Sequence, residues 1–227
     1  MENVKIGLVG IGRLGRAMMK LWQQEGISIG VYHPNEEKAA QFIEPFDHAY
    51  VVRENDLNDL DIGILALPAK QIISFIKSID QSSFSPKPIM INMATTVLTR
   101  DLEKEFPDLE LYGVKFMGHA QDLFEHGEGL FITEKRLPKK IEQLYIALGE
   151  VRTESESTLV EINKLATYHG IKAAIEIESI FLDKNIPEDY INQALGSIVP
   201  EIIRGYRQGN YGHFAMEMIK QIKNERK

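Results

Sequence analysis

Residues 4–15 read Val-Lys-Ile-Gly-Leu-Val-Gly-Ile-Gly-Arg-Leu-Gly, an apolar run that breaks into glycines at Gly10, Gly12 and Gly15. No other stretch restricts the fold as much. The run predicts a buried strand, and from Arg13 to Glu25 the residues Leu14, Ala17, Met18, Leu21 and Trp22 recur at helical spacing. A strand that feeds a helix through such a turn has a use for each glycine. Gly10 permits the tight turn, Gly12 lets a pyrophosphate approach the backbone, and Gly15 lets the helix pack closely on the strand. The helix start then directs unpaired amides at phosphate oxygens. The pattern alone is common, but strand before and helix after favour a dinucleotide site over a purely structural turn. Its expected contacts are Gly10, Gly12, Arg13, Leu14 and Gly15.

A second strand is expected over Ile27–Tyr32, closed by His33 and Pro34, and a short helix over Asn35–Phe42 with Asn35 as its N-cap. NAD-binding units place an acid at this strand tip for the ribose 2′-hydroxyl. The tip here is His33, which favours NADP, with Arg13, His33 and Asn35 as 2′-phosphate contacts. Glu36 and Glu37 would repel that phosphate, so NAD stays possible.

Further strands are expected over Ala49–Val52 and over the unbroken apolar run Ile62–Leu67, which suits an interior parallel strand. Pro68 ends that run, and Ala66, Leu67 and Pro68 are placed at the crevice beyond the strand ends. A helix over Ala69–Ile79 is expected to turn Ile72, Ile73 and Ile76 inward. The alternation continues with a strand at Ile89–Met93, a helix at Leu98–Phe106, and one strand over Leu111–Phe116 ending in Met117-Gly118-His119. A strand within Glu128–Thr133, a helix over Lys139–Leu148 and a strand at Val151–Thr153 complete it. Strands alternating with helices predict a doubly wound, mostly parallel α/β Rossmann domain over residues 1–154.

From residue 155 only helices are expected, over Leu159–Leu182, Pro187–Arg207 and Tyr211–Lys223, a smaller all-helical domain spanning 155–227. Pro187 is assigned a first helical position and Pro200 a kink. Ile191, Ala194, Leu195, Ile198, Val199, Ile202 and Ile203 make the middle helix apolar around much of its girth, which predicts burial between subunits or between its own neighbours.

A formal net charge of −7 argues against general nucleic-acid affinity. The absence of cysteine removes disulfides, thiolate nucleophiles and cysteine–metal sites, and points to the cytoplasm. No signal-peptide pattern or membrane-length apolar run is read, and the scattered histidines show no metal-ligand spacing, so neither membrane attachment nor a metal site is expected.

In element order the whole chain resembles the NAD(P)-binding Rossmann reductases, closest to the pyrroline-5-carboxylate reductases. The segments VKIGLVGIGRLGRAM, DIGILALPAKQI, IMINMATT, LYGVKFMGH and LATYHGIKAAIEIESIF carry the resemblance. It implies NADP-dependent hydride transfer to or from a small imino or keto acid, with substrate between the cofactor crevice and the helices, and a homodimer formed by the helical domains. Tyr168-His169-Gly170-Ile171-Lys172-Ala173 stands where such reductases carry Ser-Gly-x-Gly-Pro-Ala. Lys172 occupies the region of the catalytic lysine of related hydroxyacid dehydrogenases, without the asparagine expected one turn later. Hydride transfer also needs a donor that polarises or protonates the substrate. His119, at a strand's carboxyl end, and His169 with Lys172, at the entry to the tail, are the candidates. A catalytically silent dinucleotide-binding protein with a regulatory or assembly role is the alternative.

Overall fold

The computed structural model describes residues 4–80 and 86–225. The opening run forms β1 (Ile6–Val9), followed by α1 (Arg13–Gln24), β2 (Ile29–Tyr32), α2 (Glu36–Ile43), β3 (Ala49–Val52) and a 3₁₀ turn at Glu54–Asp59. Then come β4 (Ile62–Leu65), α3 (Ala69–Asp80), β5 (Ile89–Asn92), α4 (Thr99–Glu105) and β6 (Leu111–Gly113). These strands make one six-stranded sheet in the order β3-β2-β1-β4-β5-β6. Every pairing in it is parallel. The order reverses between β1 and β4, and the crevice outside their carboxyl ends is where sheets of this kind take ligands.

Parallel strands covered on both faces need apolar residues on both sides, and the core accordingly divides in two. Leu8, Val31 and Ile64 face Met18 and Trp22 of α1. Val9, Leu65 and Met90 face Ile72 and Ile76 of α3. Ile73, expected to point inward, is 39% exposed, because the helical stripe facing the sheet is already filled by Ile72, Ile76 and Ile79.

The expected single strand over Leu111–Phe116 is two strands in two sheets. After β6 the chain makes a last link to β5, Val114 N–H donating to the Asn92 carbonyl (3.1 Å), and leaves the large sheet. β7 (Lys115–Phe116), β8 (Gly129–Thr133) and β9 (Gly149–Thr153) form a separate three-stranded sheet, antiparallel between β7 and β8 and parallel between β8 and β9. The break is hidden in the sequence, since the residues on both sides of it are mostly buried. A helix not anticipated from the sequence, α5 (Ala120–His126), lies between β7 and β8, and α6 (Lys139–Ile146) packs beneath. The Trp22 indole N–H donates to the Leu144 carbonyl at 2.8 Å, tying α1 to α6.

The chain divides into two compact units, residues 1–163 and 164–227. α7 (Glu156–Asp183) begins in the first and continues into the second. The second unit continues with α8 (Glu188–Gln193), a π turn at Ala194–Ile198, α9 (Val199–Gln208) and α10 (His213–Glu225). Pro187 stands at the N-cap of α8, with ψ of 146°, rather than at the first helical position; its extended backbone ends the turn that Asn185 makes at φ 54°. Pro200 cannot donate to the carbonyl one turn back, and the helix widens into the π turn just before it. Gly209, at φ 69°, ends α9, and the rings of Tyr206 and Tyr211 stack across it at 6.2 Å.

Within its own chain the middle helix is buried only at its start, and burial between subunits is a separate matter. Ile191 and Ala194 are 4% and 5% exposed, whereas Ile198, Ile202 and Ile203 are 54%, 57% and 60% exposed. Among the described residues these three stay largely uncovered, because the widened turn carries the second half of the apolar stripe away from the first.

Candidate functional site

Gly10 leaves β1 at φ +121°, a backbone few side chains tolerate, and a Cβ there would collide with the Ala66 carbonyl beyond β4. Gly15 lies so close to the turn that a Cβ would stand 2.5 Å from the Gly10 carbonyl oxygen. Gly12 differs, since a Cβ on it would meet nothing within 4 Å. The outer two glycines therefore close the turn, and the middle one keeps open the space over the start of α1. Gly12 is the N-cap of α1 and brings no side chain to its first amides. Those amides, around Arg13 and Leu14, lie at the positive end of the helix next to the open space over Gly12, an arrangement suited to a phosphate.

At the tip of β2, two of the expected phosphate contacts are engaged locally. His33 Nδ1 accepts from the Asn35 N–H at 3.0 Å, and Asn35 Oδ1 accepts from the Lys38 N–H at 2.9 Å as the cap of α2. Arg13 is exposed at the start of α1. Arg53 was not anticipated from the sequence. Val52 is the register partner of Tyr32, so His33 and Arg53 leave the sheet side by side. The Arg53 guanidinium pairs with Glu36 at 3.4 Å, which offsets the carboxylate that would otherwise repel a 2′-phosphate.

Across the strand ends from the glycine turn lies a cleft of about 390 Å³. Leu14, Leu67, Pro68 and Ala69 form one side, Met93 to Thr96 and Phe116 another, and Gly118, Ala120 and Asn163 complete it. Among these described residues none is ionisable. Sequence reasoning placed Leu14, Leu67 and Pro68 here and missed the rest. The carboxyl end of β5 was the available signal, since it must lie at the same sheet edge as those of β1 and β4.

The 93–98 loop of this wall is fastened from beneath. Asn92 Nδ2 donates to the Val97 carbonyl (2.8 Å) and to Thr99 Oγ1 (3.0 Å), while its Oδ1 accepts from the Ala94 N–H (3.1 Å). Lys115 Nζ donates to the carbonyls of Ala94 (2.8 Å) and Val97 (3.0 Å) and stands 3.6 Å from Glu156 Oε2. Glu156 Oε2 accepts in turn from the Thr99 N–H at 2.8 Å. Lys115 and Glu156 are 0% and 2% exposed. Burial pushes the Lys115 ammonium down to about 8, against the opposing pull of Glu156 and the weaker one of Glu134.

His119 caps α5, its Nδ1 accepting from the Gln121 N–H at 3.3 Å; the ring is exposed, while its neighbours Gly118 and Ala120 line the cleft. His169 and Lys172 lie on α7 in the second unit, both exposed. The His169 ring meets Tyr168 edge-on at 5.2 Å, and Lys172 stands 3.7 Å from Glu176. Among the described residues no group of three His, Cys, Asp or Glu side chains is placed to hold a metal. No helix among them is long and apolar enough to cross a membrane.

Residues 5–96 match the family model described as NADP oxidoreductase, coenzyme F420-dependent. A pyrroline-5-carboxylate reductase from Methanosarcina acetivorans is 32% identical over 111 residues, covering 43% of this chain and 37% of that protein. The match thus spans little more than a third of that relative. The structure of a pyrroline-5-carboxylate reductase from Coxiella burnetii superposes with a TM-score of 0.67 over 96% of this chain and 84% of that one, at 16% identity. A reductive aminase from Aspergillus terreus, in complex with NADPH and ethyl-5-oxohexanoate, gives 0.64 over 92% and 79%, at 13% identity. An imine reductase from Myxococcus stipitatus, in complex with NADP+, gives 0.63 over 90% and 78%, also at 13% identity. The chain has the fold of these reductases. Sequence likeness accompanies it in the N-terminal half, where the glycine turn and the β4 end lie.

Proposed function

We propose that this chain is an NADP-dependent oxidoreductase of the pyrroline-5-carboxylate reductase type, transferring a hydride to or from a small imino or keto acid. The observation that carries this reading is the open space over Gly12 at the start of α1, in a turn closed on both sides by glycines that admit no side chain. The α1 amides take the pyrophosphate, Arg53 and Arg13 the 2′-phosphate, and the 390 Å³ cleft the reacting end together with the substrate. NADPH, when bound, supplies the hydride. The chain's own part is to orient the two reactants against Leu67, Pro68 and Met93 and to keep water from between them. His119, beside the cleft lining, and His169 and Lys172, on α7, are proposed as the proton-donating or carboxylate-binding groups.

The chain is further proposed to be a cytoplasmic homodimer joined through its helical unit. Two apolar hollows there support the dimer, one of about 510 Å³ between α9 and α10 and one of about 490 Å³ between α7 and α9. The cytoplasmic setting rests on the absence of cysteine.

A second reading, a dinucleotide-binding protein without turnover, is favoured by the absence of an ionisable side chain among the described cleft residues. Titrating NADPH and NADH while following the fluorescence of Trp22, the chain's single tryptophan, with thermal shift beside it, tests both. Tighter binding of NADPH, followed by its oxidation in a screen of imino and keto acids, is the expected result. Binding without turnover would favour the second reading, and no binding of either dinucleotide would overturn both.

A further inference from the structure

We propose that Lys115 and Glu156 are positioning residues for the cleft, setting the 93–98 loop, whose residues 93–96 form the wall against which the reacting end of the dinucleotide lies. The proposal rests on the reading of that cleft as part of the dinucleotide site. The loop that follows β5 is gripped at both ends by groups from elsewhere in the chain.

Lys115 comes from β7, in the other sheet, and its ammonium bridges the Ala94 and Val97 carbonyls, gathering the loop into an arch. Glu156 comes from α7 and holds the Thr99 N–H where the loop ends. Glu134, following β8, accepts from the Glu156 N–H at 2.8 Å and fixes the backbone that carries the carboxylate. Gly113 keeps the room this needs, because any side chain there would collide with the Glu156 carboxylate. The side chains of Asn92, Lys115 and Glu156 all converge on a segment of which Met93, Ala94, Thr95 and Thr96 line the cleft.

A charge pair costs desolvation that an apolar pair of the same size would not. Two apolar side chains could fill this space, but they could not hold carbonyls and an amide at set positions. The pair is therefore read as a device for loop geometry.

The test compares the wild-type chain with the double variant K115M/E156Q, which keeps both side-chain shapes and an acceptor for Thr99 while removing both charges together. Two quantities are read: hydrogen exchange of the amides in residues 94–99 and the dissociation constant for NADPH. The proposal expects exchange in that segment at least tenfold faster, with β1 and β4 unchanged, and NADPH binding about tenfold weaker. Exchange and affinity both within twofold of wild type would overturn it, as would faster exchange with unchanged affinity. If the double variant does not fold, the ¹⁵Nζ resonance of Lys115 in the wild-type chain decides. A resonance that shifts when NADPH is added supports the proposal, and one that does not move refutes it. A wild-type chain that binds no NADPH overturns the dinucleotide reading itself, and the exchange comparison then decides the loop-holding role alone.

Discussion

Substituting alanine at Gly12 and at Gly15, three residues apart, should separate ligand binding from folding. Gly12 has φ −80° and ψ −175°, extended backbone open to any residue, and its new methyl would touch nothing within 4 Å. Alanine is a poorer N-cap than glycine, but it restricts the unfolded chain; the two effects oppose each other and leave a net change within about 1 kcal/mol. For a chain of this size that moves the melting temperature by no more than about 2–4 °C. The same methyl would occupy the space in which the proposed site brings a pyrophosphate oxygen to the α1 amides. Losing one charge-assisted hydrogen bond of about 2 kcal/mol weakens binding roughly 30-fold. Gly15→Ala differs because its methyl stands 2.5 Å from the Gly10 carbonyl oxygen, so the turn itself must open. Overpacking of that kind costs about 1–3 kcal/mol, and both stability and binding should fall. Thermal melts and NADPH titrations on the two variants suffice. A Gly12→Ala protein that binds NADPH within threefold of wild type, or that melts as low as Gly15→Ala, would refute the reasoning.

Arg53→Ala should weaken NADPH binding about tenfold, the equivalent of about 1.4 kcal/mol, and leave NADH within twofold; equal losses for both would remove Arg53 from the 2′-phosphate site. Tyr145 is fully buried and its hydroxyl has no hydrogen-bond partner among the described residues, so Tyr145→Phe should stabilise by about 1 kcal/mol and raise the melting temperature by about 2–4 °C; a lower melting temperature would reveal a partner for that hydroxyl. Burial lowers the Lys115 ammonium to about 8 in the folded chain, from the ordinary lysine value of 10.5 that the unfolded chain restores. Between those values the unfolded chain binds more protons, so this residue makes stability rise with pH across that window, by roughly 3 kcal/mol at most, and denaturant midpoints for Lys115→Met should lose that rise. Sedimentation at micromolar concentration should give a dimer, and a clean monomer would refute the proposed assembly through the helical unit.

The fold was legible where one physical signal dominated. Continuous apolar runs at β1 and β4, helical spacing through Leu14, Ala17, Met18, Leu21 and Trp22, and the capping oxygen of Asn35 each depend on neighbours a few residues away. The parting of β6 from β7 was hidden because residues on both sides of the break are buried, and the break is determined by distant partners, Asn92 on one side and β8 on the other. The tight glycine turn was legible from its spacing, whereas the placing of Arg53 beside His33 required the register of β2 on β3. The fastening of the 93–98 loop required Lys115 and Glu156 to meet across 41 residues, from 115 to 156, and no local pattern announces that. A lysine inside an apolar strand read simply as part of the strand.

The π turn before Pro200 changes which neighbour each half of its helix addresses. An α-helix advances about 100° per residue, so one extra residue in a turn swings everything beyond it by about that angle. A helical wheel drawn straight through residues 188–208 therefore merges two directions into one broad apolar girth. Seen as two segments, Ile191 and Ala194 look inward, while Ile198, Ile202 and Ile203 look out over the surface. A single rod thus becomes a bracket with two working edges, one locked to its own chain and the other left facing outward.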